Sequence, residues 1–509
     1  MRKSDAGGSV SVWEASEDLM ERQTGLANRT EKYDVCVVGA GIAGLTAAYL
    51  LSSVGQKVIV IDDGLIGGGE TSRTTAHLSN ALDDRVYRIE EWHGAKKAKL
   101  AVESHTRAID QIEDIINTEK IDCDFSRLDG YLIDSEKGTD DLEKEFESVR
   151  RCGPEGVEWV DNVPIEDFET GRCLRFPRQG QFHILKYLHG LVTAIESSGG
   201  VLVSHKHVVN WEGGDSPQIK TADDVILSAS SIVLATNYPL MSKMFAELPA
   251  YRTYAIAVEV PKDSINKMLI WDTEDPYHYV RVQEAADVDL LIVGGEDHRT
   301  GQENDGDERF AELNRWAEKR FPNSGAVKFQ WSGQFLETHD GLGFLGRFSE
   351  SEPNVYLITG DSGMGMTHGT IGAMIVADQI LGRKNPWTEV YDPSRIATQS
   401  IKQAVPEIID STVPYADWIK PGDISSEADL KKGEGAVMRD GVSRIAVYRD
   451  EDGNLHRRSA KCTHLGCVVR FNSFEKTWDC PCHGSRFSIN GDPINSPAIT
   501  PLAGVEQED

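Results

Sequence analysis

The sequence predicts an α/β body of the Rossmann-like type followed by a separate, small all-β module. Three observations lead there. A short apolar strand runs into Gly39-Ala40-Gly41-Ile42-Ala43-Gly44, then into a helix and a second strand. Past about residue 425 the chain changes to short strands divided by tight turns, with Cys and His paired twice. At 509 residues the chain also exceeds the size at which one hydrophobic core keeps growing, so more than one domain is expected.

Composition narrows the class. With 53 Lys and Arg against 82 Asp and Glu, the formal charge of -29 disfavours nucleic acid and anionic lipid as partners. No apolar run is long enough to insert in a membrane, and the polar start Met1-Arg2-Lys3-Ser4-Asp5 lacks the apolar core of a secretory signal. A cytoplasmic location is therefore expected. Of the eight Cys, those at 462, 467, 480 and 482 cluster, whereas Cys36, Cys123, Cys152 and Cys173 are scattered. That clustering points to metal binding rather than a disulfide framework.

Residues 1–30 are polar, carry no clear period and read as an N-terminal extension. Tyr33 to Val38 is a buried parallel strand, Ile42 to Val54 a helix closed by Gly55, and Lys57 to Ile61 a second buried strand. Such a strand-helix-strand unit is parallel and right-handed. Leu100, Ala108, Ile112 and Ile115 give an amphipathic helix within Ala95 to Asn117. Ser231 to Ala235 and Asn354 to Thr359 read as further strands, the latter followed by glycines and a helix from about His368 to Leu381. Pro406, Pro414 and Pro421 mark 396–425 as a linker, and 426–509 forms the second module, with turns at Asp452-Gly453 and Asn490-Gly491.

Within that module Cys462-x-His464 and, fifteen residues on, Cys480-x-x-His483 supply two thiolates and two imidazoles from two loops. A Rieske 2Fe-2S cluster requires that set, because two His replace two Cys on one iron. Structural zinc also accepts Cys2His2, but zinc fingers group like with like, whereas each loop here gives one of each. CTHLGC (462–467) and CPCHGS (480–485) further resemble the two cluster loops of Rieske proteins of the cytochrome bc type, over about the last 85 residues. That resemblance implies a Cys467–Cys482 disulfide and a Ser485 hydroxyl bonded to a bridging sulfide. Phe487 stands where those proteins usually carry Tyr, which implies a lowered cluster potential. Ser496-Pro497-Ala498 resembles the proline loop that covers the cluster.

In the body, the fingerprint Gly39 to Gly44 lets backbone N–H groups approach a pyrophosphate at a helix N-terminus. Asp62 ends the next strand 23 positions after Gly39, where an acid can hold ribose hydroxyls. Gly67 to His77 (GGGETSRTTAH) and Thr359 to Gly369 (TGDSGMGMTHG) resemble segments of the glycine oxidase, D-amino-acid oxidase and sarcosine oxidase superfamily, as does Leu234 to Asn237. This likeness spans about residues 31–395. It implies an FAD-binding Rossmann-like domain of the D-amino-acid oxidase and glutathione reductase type, with an inserted α+β substrate domain at approximately 90–150 and 240–330. The cofactor-binding residues it implies are Gly39, Ala40, Gly41, Ile42, Ala43, Gly44, Asp62, Asp63, Ser72, Arg73, Thr74, Thr75, Ala76, His77, Val208, Thr236, Asn237, Gly360, Gly363, Met364, Gly365 and Met366. Arg73 to Ala76 would approach the pyrophosphate and flavin, and the Gly363 to Met366 turn would cap the flavin and open a helix whose dipole favours the reduced ring. His77 aligns with a histidine that carries FAD covalently in the dimethylglycine and sarcosine dehydrogenase branch, although such a His also serves as a hydrogen-bonding or packing group. No second fingerprint suits a pyridine nucleotide.

The superfamily implies oxidation of a carbon next to nitrogen, with hydride passing to FAD and single electrons leaving through the cluster. Two alternatives remain: a reductase fed by the Rieske module, and a redox sensor or electron carrier without turnover. Many relatives clamp a substrate carboxylate with an Arg where Phe335 stands here, so Arg281 is the candidate replacement. Tyr277 and Tyr279 alternate with His278 and share a strand face, aimed at either the flavin or the core; with Arg281 and His339 they form the candidate catalytic set. A small-molecule substrate is expected; a one-electron donor or acceptor protein and an oligomer are compatible with the sequence, which specifies neither.

Overall fold

The computed structural model describes residues 6–22, 32–166, 168–238, 248–395 and 413–505. The apolar run Tyr33–Val38 lies mid-sheet, between Val58–Ile61 on one side and Ile226–Leu234 on the other, parallel to both. Val201–Val203 extends the sheet beyond Val58–Ile61, and Glu352–Thr359 and Phe344–Ser349 extend it beyond Ile226–Leu234. Tyr33–Val38 and Val58–Ile61 are paired on both sides and covered on both faces, which is why these two segments read as mostly apolar runs. Chain order reverses at Tyr33–Val38, so the crevice above its C-terminal end is where a nucleotide is expected.

Helices Ile42–Ser52 and Gly365–Ile380 pack together beside this sheet, and Ala95–Glu119 packs on the second of them. The latter helix begins at Gly365, three residues earlier than the sequence predicts. Its first N–H groups need no partner inside the helix, so the Gly363 to Met366 turn and the first helical turn coincide.

A second, mostly antiparallel sheet runs in the order Val327–Leu336, Ala250–Val260, Asp289–Arg299, His278–Gln283, Leu269–Asp272, Ser126–Ile133, Cys173–Gln181 and His77–Leu78. Helix Gly306–Arg320 covers part of it through Phe310, Leu313 and Trp316. The C-terminal module contains a sheet of Gly435–Asp440, Ser443–Arg449 and Leu455–Ser459, and another of Arg470–Asn472, Thr477–Asp479, Arg486–Ser488 and Pro493–Asn495. Trp478 and Phe487 are fully buried between them and the loops.

Residues 6–22 of the expected polar extension fold onto the body. Val12–Ser16 forms a helical turn opened by Ser11 and Glu14, each side chain accepting from the other's backbone N–H. The Ser-x-x-Glu signature of this capping box is legible in the sequence. Trp13 is fully buried and its Nε1 donates to the Thr74 carbonyl at 2.6 Å. Of the expected linker, residues 396–412 lie outside the described residues. Tyr415 and Trp418, further along it, donate to the Leu465 and Gly466 carbonyls of the first Cys-His loop. Among the described residues no helix is long and apolar enough to cross a membrane.

Candidate functional site

Where the two large sheets meet lies a cavity of about 360 Å³, within the range of small-molecule sites. One end is built from the Gly39 to Ala43 turn, Asp62 and Asp63, with Lys206, His207 and Val208 alongside. Gly39 has a φ of +103°, and a Cβ there would lie 2.3 Å from the Ala235 carbonyl oxygen. A Cβ at Gly44 would lie 1.9 Å from the Gly39 carbonyl oxygen; its role is close packing of helix on strand, and it does not itself line the cavity. Asp62 accepts from Ala40 N at 2.6 Å and from Gly64 N at 2.9 Å, holding the turn open. Gly41 caps the helix without a side-chain acceptor, while Thr71 Oγ1 takes the Ile42 N–H. This is a glycine cradle at a helix N-terminus, and it fits a dinucleotide pyrophosphate.

The other end contains Thr74, Thr75, His77, Asp83, Thr253, Tyr277, Tyr279 and Phe335, and is closed by Gly363 to Gly369. Thr236 and Asn237 also line the cavity, whereas Ser72, Ala76 and Gly360 stand behind it. Ser72 Oγ bonds Glu14, and a Cβ at Gly360 would press on Thr338. The N-terminus of Gly365–Ile380 faces the cavity, where its dipole favours negative charge.

Of the candidate catalytic residues, the fold brings Tyr277 and Tyr279 into the cavity, their ring centroids 5.8 Å apart. Tyr279 Oη lies 2.7 Å from Thr253 Oγ1. His278 points to the other face, bonded to Asp272 at 2.8 Å and stacked on Trp316. Arg281 shares the parity of Tyr279 but does not reach the cavity. Two residues further along the strand, that face is covered by the Thr75 to Ala76 loop and Trp13. The guanidinium is spent on the carbonyls of Thr75, Ala76 and Phe182 and on Gln283. With its donors spent on these groups and its side chain outside the cavity, Arg281 supports the loop; burial lowers its pKa to about 9. His339 is half-buried and likewise not brought to the cavity.

His77 lies edge-on to Tyr279, with Nδ1 3.0 Å from Thr75 Oγ1 and Nε2 3.2 Å from the Val280 carbonyl. Burial and the charge of Arg281 lower its pKa to about 3. Both ring nitrogens are engaged and the ring is neutral, an environment for a hydrogen-bonding His. Acid precipitation of the holoprotein should therefore leave the flavin colour in the supernatant. A coloured pellet would mean a covalent bond.

Sequence reasoning missed the acidic lining. Burial raises the pKa of Asp83, and Tyr277 bonds it. Burial, then the Asp83 charge, takes Asp84 to about 7; burial takes Asp297, behind Tyr277, to about 7 and Asp361 to about 6. The tandem acids Asp83-Asp84 are visible in the sequence, but nothing local distinguishes them from a solvated pair.

In the C-terminal module the loops bring the thiols of Cys462 and Cys480 into mutual contact, with the His464 and His483 rings 5.0 Å apart. His464 Nδ1 is buried without a hydrogen-bond partner. A donor set of two sulfurs and two imidazoles with an orphaned ring nitrogen fits a Rieske cluster. Cys467 and Cys482 form a disulfide between the loops. The Cys467, Cys480 and Cys482 sulfurs lie within 4.8 Å of one another because Cys480 sits beside that bond; two of the three are spent in it. Ser485 Oγ accepts from Ala498 N at 3.0 Å, fastening the proline loop across the site.

The two sites share a wall. Ile494, Asn495 and Ser496 of the C-terminal module line the cavity of the body. Arg73, expected at the pyrophosphate, lines the same cavity, and its guanidinium donates to Glu475 at 3.0 Å, to Ser9 and to the Ser332 carbonyl. Arg252 and Arg486 approach Asp479 in the same buried cluster, and Arg486 also approaches Glu70.

Comparison with known proteins agrees with this geometry. The family model described as FAD dependent oxidoreductase matches residues 34–379, and that of the Rieske 2Fe-2S domain matches 420–506. The chain is 30% identical over 504 residues to the Rieske 2Fe-2S iron-sulfur protein YhfW of Bacillus subtilis, covering 97% of each. It is 26% identical to the gamma-glutamylputrescine oxidoreductase of Escherichia coli, over 70% of this chain and 85% of that one. Among solved structures, glycine oxidase from Geobacillus kaustophilus aligns with a TM-score of 0.61 at 18% identity, over 72% of this chain and all of that one. L-proline dehydrogenase from P. horikoshii aligns with a TM-score of 0.59 at 20% identity, over 72% and 98%. At those identities the structural likeness speaks for the fold.

Proposed function

Because the chain belongs to the FAD dependent oxidoreductase family and carries a C-terminal Rieske 2Fe-2S domain, we propose that it oxidises the C–N bond of an amine or amino-acid-like small molecule. Hydride passes to FAD, and electrons leave one at a time through the cluster. The observation that carries the substrate class is the far wall of the cavity, where Tyr277 and Tyr279 stand with Asp83. Arg85, which also lines the cavity, donates to the carbonyls of Asp83 and Asp272 and sets its charge against Asp83, while the carboxyl and the two phenols offer oxygens to a substrate. Such a wall recognises an ammonium group. The kinship with a gamma-glutamylputrescine oxidoreductase points the same way.

In this reading FAD, when bound, supplies the hydride acceptor. The protein binds the cationic amine at the Asp83 carboxylate, which takes the ammonium proton before the C–H bond breaks. Tyr277 and Tyr279 orient the substrate, and the hydride leaves carbon with both bonding electrons. Water then hydrolyses the resulting imine.

The test is an anaerobic titration of holoprotein with primary, secondary and tertiary amines and amino acids, following flavin bleaching and the cluster EPR signal together. Bleaching by an amine, followed by growth of the reduced-cluster signal, is expected. Reduction of both centres by dithionite but by no amine would overturn the proposal.

A further inference from the structure

We propose that the two redox sites are joined within one chain through Gln334, a positioning residue that belongs to the cavity wall and holds the second cluster loop. The proposal rests on the reading that flavin and cluster exchange electrons. Gln334 lines the cavity, and its buried side-chain amide donates to the Gly484 carbonyl at 3.1 Å. Gly484 directly follows His483, a candidate cluster ligand. The Gln334 backbone N–H is held by Glu70 Oε2 at 2.6 Å, and Glu70 Oε1 accepts from Asn495 Nδ2 at 3.0 Å. Asn495 lines the cavity from the module side, so Gln334, Glu70 and Asn495 form one hydrogen-bonded strip of wall that ends on the loop carrying His483.

Backbone packing holds this arrangement close. A Cβ on Gly484, whose φ is +71°, would come 2.2 Å from the Ala250 Cβ of the body. On the other flank Gly301 of the body approaches the same loop, and a Cβ there would lie 2.9 Å from Pro481 N and 3.1 Å from Cys480 C. Each glycine stands where only hydrogen fits, one on each side of the contact. Gln302 and Arg470 add bonds across the same seam. A loop gripped in this way is a fixed neighbour of the cavity, and no second subunit is required to complete the path.

The balance is one electron at a time. Reduced flavin gives one electron to the oxidised cluster, and a one-electron acceptor protein takes it before the second follows. The experiment needs no amine. In the full holoprotein, one-electron photoreduction by a flash is followed by the redistribution between flavin absorbance and cluster signal, at protein concentrations spanning about a hundredfold. First-order redistribution, independent of concentration, is expected. Gln334→Met keeps the side-chain length but removes the donor and should slow redistribution by about tenfold, the scale of lost support to a metal ligand loop, with FAD content and total cluster signal unchanged. Ser473→Ala removes a module contact to Asn304 at the solvent edge and should leave the rate alone.

A rate proportional to concentration would show electrons crossing between chains and would overturn the proposal. A first-order rate that Gln334→Met leaves unchanged would overturn the role of Gln334. The absence of redistribution at every concentration would instead remove the underlying reading that the two centres exchange electrons.

Discussion

Glu475→Gln should destabilise the folded protein by about 3–5 kcal/mol, the usual cost of breaking a buried ion pair from one side. Glu475 is fully buried among Arg73, Arg252 and Arg486, and accepts from Ser9 Oγ at 2.7 Å and Ser332 Oγ at 2.5 Å. The amide keeps the shape and removes the charge that three guanidinium groups face. The same quantity can be read by pH. Burial alone would raise the Glu475 carboxyl, but the three arginines, Arg73 first, and Ser332 outweigh it and lower its pKa from 4.5 to about 2. A depressed carboxyl contributes stability that is complete above its unfolded value and lost as pH falls through the folded one. A fall from 4.5 to about 2 corresponds to about 3 kcal/mol, lost between about pH 4.5 and pH 2. Urea unfolding at neutral pH and at pH 3 should show the native chain losing stability on acidification and Glu475→Gln losing much less. Equal acid sensitivity in both would separate Glu475 from the junction.

Gly39→Ala should weaken FAD binding by about ten- to hundredfold. The added Cβ meets the Ala235 carbonyl at 2.3 Å, and the backbone there has a positive φ, so the turn must shift away from the pyrophosphate position. Overpacking of this kind costs about 1–3 kcal/mol, equivalent to about ten- to hundredfold in affinity when it falls on the binding turn. Gly55→Ala is the control: its φ is +87°, but a Cβ there meets nothing within 4 Å. Flavin-to-protein ratios after gel filtration should drop for Gly39→Ala and stay near the native value for Gly55→Ala. A Gly39→Ala protein that keeps its flavin would mean that the cradle is not the pyrophosphate site.

Both cofactors were legible in the sequence because their chemistry is local. A glycine turn between a strand and a helix needs only six consecutive residues, and each Cys-His loop is a short stretch whose donors are fixed by covalent spacing. The parallel strands Tyr33–Val38 and Val58–Ile61 were legible for a similar reason: burial on both faces leaves a short apolar run, here followed within a few residues by a glycine. The capping box at Ser11, a signal of only four residues, went unread because the segment around it is polar and aperiodic.

What lay beyond the sequence was decided by which surfaces meet. Parity puts Tyr279 and Arg281 on one strand face, but only packing places the cavity over one and the Thr75 to Ala76 loop over the other. Asp83 and Glu475 read as solvated charges until burial and their neighbours push one pKa up and the other down. Arg73 and Glu475 are 402 residues apart in the chain, and nothing near either announces the partner. The sequence by itself therefore determined the two cofactor-binding folds, whose signals are short and covalently spaced. The tertiary structure alone decided the acidic and phenolic lining of the cavity, the buried junction and the module residues in the cavity wall, because long-range pairing of buried groups leaves no period in the chain.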